Sequence, residues 1–123
     1  MQTTANNSAL VIIRQPPYSG SLARAGIDTA LAHAAFERPL EVLFMGDGVL
    51  QLLPDQAPES LGRKSLARLL ASLPLYGIEQ VYADAEAATR YRLDLARAPL
   101  AVVPLTASAM GDLLRAHDNL LGF

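Results

Sequence analysis

Two carboxylates stand where α/β enzymes often keep catalytic groups. Asp47 lies between Gly46 and Gly48 just after the apolar run LEVLFM, and Asp84 follows the run IEQVYA. A strand end holds a carboxylate rigidly, and Mg²⁺ prefers hard oxygen ligands. One hypothesis is therefore a stand-alone homo-oligomeric module that binds a small molecule or nucleotide through Asp47 and Asp84. The competing interpretation is that the glycines form a tight turn with positive φ and that Asp47 caps its own backbone.

Other chemically useful side chains are scarce. The segment PPYSGS, with Tyr18 and Ser19, joins a strand to a helix but lacks both common phosphate-loop patterns. His33 and His117 have no partner at metal-ligand spacing, and no G-x-S-x-G nucleophile motif occurs. The chain contains no cysteine, which excludes disulfides, thiolate zinc sites and persulfide chemistry on this chain. We therefore expect no metal and no cofactor.

The elements that would position these residues alternate regularly. Apolar, β-branched runs predict strands at 10–13, 40–45, 78–83 and 99–105, with a further strand in the terminal NLLGF. Helical spacing and capping residues predict helices at 22–37, about 58–73, around 84–92 and from Thr106 onward. Alternation with short connections indicates a three-layer α/β/α fold with a mainly parallel sheet of about five strands. We expect one domain over 9–123 after a flexible segment 1–8.

Function in such sheets sits in the loops beyond the carboxyl ends of the strands. Here those loops include the segment VLQLL, residues 49–53. Its apolar residues allow two arrangements, namely an exposed ledge that docks another subunit or a short helix folded back onto the core. Each large apolar side chain buried in a subunit contact would contribute about 1.5–3 kcal/mol.

The composition favours assembly. Hydrophobic residues make up 51% and charged residues 18%, against a typical ~25% charged. Large apolar surfaces are rarely left in water, so we expect an oligomer. The net charge of −2 gives no footprint for direct nucleic-acid binding. No apolar run reaches the ~18 residues of a membrane span, and the polar start MQTTANNS has no leader pattern, so we expect a cytoplasmic protein.

Three segments carry a resemblance to a known family. The strings DGVLQLLP, ARAGIDTALA and LYGIEQVYA, in this order, resemble the TusC branch of the DsrE/DsrF-like family over about residues 9–123. The resemblance implies a parallel sheet between helices. It also implies assembly with TusB-like and TusD-like subunits as a dimer of heterotrimers. Such a complex passes persulfide sulfur to a TusE-like acceptor, toward 2-thiolation of the tRNA wobble uridine.

The same resemblance indicates what this chain does not do. Family members that carry sulfur have a cysteine in the loop after the third strand, whereas residues 83–86 here read ADAE. The implied role is that of a non-catalytic subunit of a sulfurtransferase complex that supports the cysteine of a partner. The residues expected at its interface or lining its pocket are Tyr18, Ser19, Gly46, Asp47, Gly48, Val49, Gln51, Leu52, Leu53 and Asp84.

Overall fold

The computed structural model describes residues 9–16, 21–35, 39–53 and 66–123, without the side chains of 21–24, 33–35, 66 and 67. Its strands and α-helices follow one another along the chain, with three 3-10 helices between them. In order they are β1 (Ala9–Ile13), α1 (Ser21–Ala35), β2 (Leu40–Phe44), the 3-10 helix Gly46–Leu52, α2 (Leu66–Ala71), the 3-10 helix Leu73–Tyr76, β3 (Gln80–Asp84), α3 (Ala85–Arg90), the 3-10 helix Leu95–Arg97, β4 (Val103–Leu105), α4 (Ala107–Arg115) and β5 (Asn119–Gly122).

The five strands form one sheet in the order β4-β3-β2-β1-β5, and every neighbouring pair is parallel. This confirms the predicted α/β class with a parallel sheet of five strands, including the terminal strand. The carboxyl ends of all strands therefore lie at the same end of the sheet. Loops after different strands are thereby brought close together, although they are far apart in sequence.

Helices cover both faces of the sheet, but unequally. One face carries Val11, Val42 and Phe44, which belong to a core cluster shared with α1, α2, α3 and the 46–52 helix. The other face, called the α4 face below, carries Leu10 and Leu43, which pack with Met110 of α4. Strand residues alternate between the two faces, so central strands covered on both sides read as continuous apolar runs. This is why LVII and LEVLF predicted strands correctly.

Two predicted strands are shorter than expected. Ile78 is buried, but its N–H donates to the carbonyl of Leu73, so its backbone belongs to a turn and β3 begins at Gln80. Gly77 closes that turn with φ +89°. Before β4, the backbone turns through the 95–97 helix, where Ala98 donates to Leu95. Only 103–105 of the predicted 99–105 pair with β3, and residues 99 and 100 lie in a bend that follows the 95–97 helix.

No described helix is both long and apolar enough to cross a membrane.

Candidate functional site at the carboxyl ends of β2 and β3

The turn after β2 needs its two glycines for different reasons. Gly46 has φ +55°, a left-handed conformation that glycine adopts without steric cost. Gly48 does not have a positive φ. Instead, a Cβ at Gly48 would lie 2.0 Å from the carbonyl oxygen of Ile13. The expected positive φ is therefore confirmed at Gly46 and wrong at Gly48, where close contact with the end of β1 requires the missing side chain.

The 46–52 segment folds back onto the core. Val49 is 0% and Leu52 2% exposed, and both belong to the main core cluster. Of the two arrangements left open by the sequence, the short helix on the core is the one present. The ledge interpretation is wrong for these two side chains. Leu50 and Leu53 are only partly buried, and they remain available to a partner.

Gln51 has an internal role in the same segment. It is buried, and its Nε2 donates to the backbone carbonyl of Gln15 at 2.9 Å. That bond ties the loop after β2 to the loop after β1. A buried amide needs such a partner, because an unsatisfied polar group costs about 1–3 kcal/mol. Gln51 therefore fixes the relative position of two strand-end loops.

Asp84 joins the ends of β2 and β3. One carboxylate oxygen, Oδ1, accepts from Ala87 N–H at 3.1 Å and caps α3. The other, Oδ2, accepts from Gly46 N–H, also at 3.1 Å. The residue is buried, and a charge in that position is held by hydrogen bonds to backbone donors. The geometry gives Asp84 a structural role.

Asp47 is exposed and bonds to a side chain distant in sequence. The hydroxyl of Tyr91, just beyond α3, donates a hydrogen bond to the Asp47 carboxylate. That hydrogen bond is the main reason why the pKa of Tyr91 is raised, followed by desolvation and the charge of Asp47. Arg90 lies with its guanidinium carbon 5.7 Å from the centre of the Tyr91 ring. The expectation that Asp47 caps its own backbone is not met, since its carboxylate bonds to Tyr91 instead.

The arrangement does not favour the magnesium hypothesis. Asp84 is turned toward two backbone N–H groups, and Asp47 toward a phenol. Within the described ranges, no group of three or more His, Asp or Glu side chains could hold a metal ion. A phenol with a raised pKa stays protonated near neutral pH, so Tyr91 is no general base there. The carboxyl ends of β2 and β3 thus carry residues that hydrogen-bond to one another, and none of the described residues there is an activated nucleophile.

Two expected site residues cannot be placed, and one contributor was missed. Tyr18 and Ser19 lie outside the described residues. Tyr91 was not predicted, because nothing in ATRYR indicates a contact with a residue 44 positions earlier. Only the parallel order of β2 and β3 brings their following loops side by side.

A second polar cluster, missed from the sequence, lies on the α4 face. Glu41 interrupts the apolar strand β2, and its Oε1 is 3.5 Å from His117 Nε2. His117 is buried, and its Nδ1 is 2.9 Å from the carbonyl of Leu113 in α4. Burial, and then the charge of Glu41, raise the pKa of Tyr82 on β3. A glutamate inside LEVLF was the available signal, since buried charges are normally paired.

Comparison with known proteins agrees with this architecture. The chain is 40% identical over 116 residues to a Protein TusC homolog from Pseudomonas aeruginosa, covering 94% of this chain and 98% of the relative. It is 32% identical over 112 residues to a Protein TusC homolog from Vibrio parahaemolyticus, covering 91% and 95%. These matches, which cover more than nine-tenths of each chain, bear out the resemblance found in the sequence.

The fold is also found in a solved structure, the crystal structure of ychN protein from E. coli. The TM-score is 0.83 at 17% identity, with 95% of this chain and 99% of the other covered. At that identity the likeness shows the fold alone. The model of the DsrE/DsrF-like family matches residues 7–123, and together with the TusC homologs this shows that the chain belongs to the DsrE/DsrF-like family.

Proposed function

We propose that this chain is a non-catalytic subunit of a TusBCD-like sulfurtransferase complex. The complex relays persulfide sulfur to a TusE-like acceptor, toward 2-thiolation of the tRNA wobble uridine. This chain assembles with TusB-like and TusD-like subunits in a dimer of heterotrimers. It supports the sulfur-carrying cysteine of a partner and carries no sulfur itself.

The observation that carries the proposal is the absence of cysteine from a chain that matches a TusC homolog over 94% of its residues. Sulfur relay requires a thiolate that attacks a persulfide sulfur and then holds it as a new persulfide. No other side chain in the sequence replaces that thiolate. A chain of this composition can contribute to the relay only through contacts with a subunit that has the cysteine.

The strand-end geometry supports the same role. In sulfur-carrying members of the family, the loop after the third strand holds the cysteine. Here β3 ends at Asp84 and α3 begins at Ala85, and the Asp84 carboxylate is buried and bonded to Gly46 N–H and Ala87 N–H. Asp84 thus joins the start of α3 to the turn after β2. A junction held in place by two hydrogen bonds is suited to a surface that positions a neighbouring subunit.

The surface that we assign to partner contact consists of Asp47, Leu50, Leu53 and Tyr91, called the strand-end surface below. Asp47 and Tyr91 are exposed, and the two leucines are partly buried. An apolar pair beside a hydrogen-bonded polar pair is a common composition for an interface centre and its rim. Because the net charge is −2, we assign tRNA contact to another protein of the pathway. We place this chain in the cytoplasm.

Co-purification tests the assignment. The chain is co-expressed with TusB-like and TusD-like proteins from the same genome, and the complex is isolated through a tag on the TusD-like subunit. We expect all three chains in the purified complex. Asp47→Arg should reduce recovery of this chain at least about tenfold, which corresponds to about 1.4 kcal/mol of contact free energy.

The matched control is Glu79→Arg. Glu79 is exposed and precedes β3, so it lies at the amino ends of the strands, away from the strand-end surface. The same charge reversal there should leave recovery unchanged. Failure of the wild-type chain to co-purify would contradict the proposed complex. Equal recovery of Asp47→Arg and Glu79→Arg would contradict the assignment of the strand-end surface.

A further inference from the structure

The strand β5 lies at one end of the sheet, and in the described part of the chain no strand pairs with its outer side. The edge strand on the other side of the sheet, β4, is protected against such pairing. It has only three residues, and one of them is Pro104, which has no N–H to offer. Proteins commonly block edge strands with prolines, charges or short length. The strand NLLG of β5 contains neither proline nor charge.

The hydrogen-bonding groups of β5 that point outward follow from those that point inward. Phe123 donates to the carbonyl of Ile12 at 2.8 Å and accepts from Arg14 N–H at 2.7 Å. Successive residues of a strand direct their N–H and C=O to opposite sides. Phe123, Leu121 and Asn119 therefore face β1, and Leu120 and Gly122 present both backbone groups to the open edge.

We infer that two copies of this chain pair antiparallel through their β5 strands, so that their sheets continue into one another. With a two-fold axis between the two copies of Leu121, Leu120 of each copy lies opposite Gly122 of the other. These are the residues whose N–H and C=O face outward. Each such pair therefore exchanges a hydrogen bond in both directions, as in a regular antiparallel ladder.

The side chains fit the same register. Leu120 is 45% exposed and lies beside Leu10 on the α4 face. In the paired strands it would lie over Gly122 of the second copy, where the Cβ position meets only Nη2 of Arg14, at 3.6 Å. The side chains of residues 119–123 carry no charge, so no like-charged side chains of these residues lie opposite one another. A single self-complementary patch of this kind is what a two-fold interface requires.

This pairing goes beyond the proposed sulfur-relay role and does not depend on it. The edge is short, so we expect a dimer of moderate or low affinity. Sedimentation velocity of the isolated full-length chain, from about 5 to about 500 µM, spans the range in which such an interface forms. We expect the wild-type mass to rise from that of a monomer to that of a dimer.

Two variants address the interface without entering the core. Leu120→Lys places a charge at the strand pair. Gly122→Val fills the space that Leu120 of the second copy would occupy. Inside one chain, a Cβ at Gly122 meets only the end of the Arg14 side chain, at 3.6 Å. Both variants should therefore melt like the wild type at low concentration and raise the dimer dissociation constant at least about tenfold.

Val103→Lys is the matched control. Val103 is 48% exposed, in the edge strand β4, and its substitution should leave the dimer unchanged. The inference is overturned if the wild type stays monomeric to about 500 µM, which would mean that something else covers the edge. It is also overturned if Val103→Lys weakens the dimer as much as Leu120→Lys, or if both β5 variants dimerise normally. This experiment measures the isolated chain, so its outcome does not depend on whether the chain co-purifies with TusB-like and TusD-like subunits.

Discussion

At the scale of single residues, the two carboxylates that first suggest catalysis have different structural partners. Asp84 is buried and accepts two backbone N–H groups, and Asp47 is exposed and accepts the hydroxyl of Tyr91. The sequence could place both at strand ends, because the runs before them predict strands. It could not reveal their partners, since each depends on a contact between loops that follow different strands.

Replacing Asp84 by alanine should destabilise the chain by about 1–3 kcal/mol, because two backbone donors lose their partner and one of them lies in the first turn of α3. Urea unfolding followed by circular dichroism measures the change. Asp94→Ala is the control, since Asp94 caps only the exposed 95–97 helix through Ala96 N–H. A loss in Asp84→Ala no larger than in the control would contradict the joining role of Asp84.

Gly48→Ala should be more harmful than Gly46→Ala. The new Cβ at position 48 would lie 2.0 Å from a backbone oxygen, and backbone cannot move aside as a flexible side chain does. At Gly46 nothing lies within 4 Å, so alanine costs only the left-handed conformation, about 1–2 kcal/mol. Thermal unfolding of the two variants compares them directly. The reverse order of stability would show that the approach to Ile13 is not as close as described.

Tyrosine titration tests the contact between Asp47 and Tyr91. Because the hydrogen bond raises the folded-state pKa of Tyr91 above 10.0, its stabilising effect is present below pH ~10 and is lost as the pH rises through the raised pKa. Asp47→Ala should lower the pKa of this phenol, seen by ultraviolet absorbance of tyrosinate. Tyr91→Phe should remove the same transition. An identical titration curve for Asp47→Ala and the wild type would refute the contact.

At the scale of elements, the N-cap of the last helix was predictable, but strand length and the folding back of 46–52 were not. Thr106 was expected as the N-cap of the last helix, and its Oγ1 accepts from Ala109 N–H at 3.1 Å. By contrast, VLQLL reads as either ledge or core. Whether this segment packs on the core depends on the room left beside β1 by other elements. A local sequence pattern carries no information about that room.

Thr106→Ala should destabilise the chain by about 0.5–2 kcal/mol, because the first turn of α4 loses its side-chain acceptor. Thr89→Ala provides the comparison, since Thr89 is exposed within α3 and does not cap it. Chemical unfolding at neutral pH measures both. If the two substitutions had the same effect, the capping contribution of Thr106 would be excluded.

At the scale of the whole molecule, alternating elements and the family resemblance predicted the parallel α/β/α sheet correctly. The unequal covering of its two faces was not predicted, nor was the pair formed by Glu41 and His117 on the α4 face. Both depend on the order of strands in the sheet. That order places β2 at the centre, with β1 between β2 and the edge strand β5, and no single segment of the sequence specifies it.

The central claim is that a chain without cysteine is needed by a partner that has one. The most direct test is the rate of sulfur transfer from a radiolabelled persulfide donor to the TusE-like acceptor, measured with the reconstituted TusB-like and TusD-like subunits. Adding this chain should raise the rate at least about tenfold, or about 1.4 kcal/mol, with no label on the chain itself. An unchanged rate, or persulfide label recovered on this chain, would contradict the account.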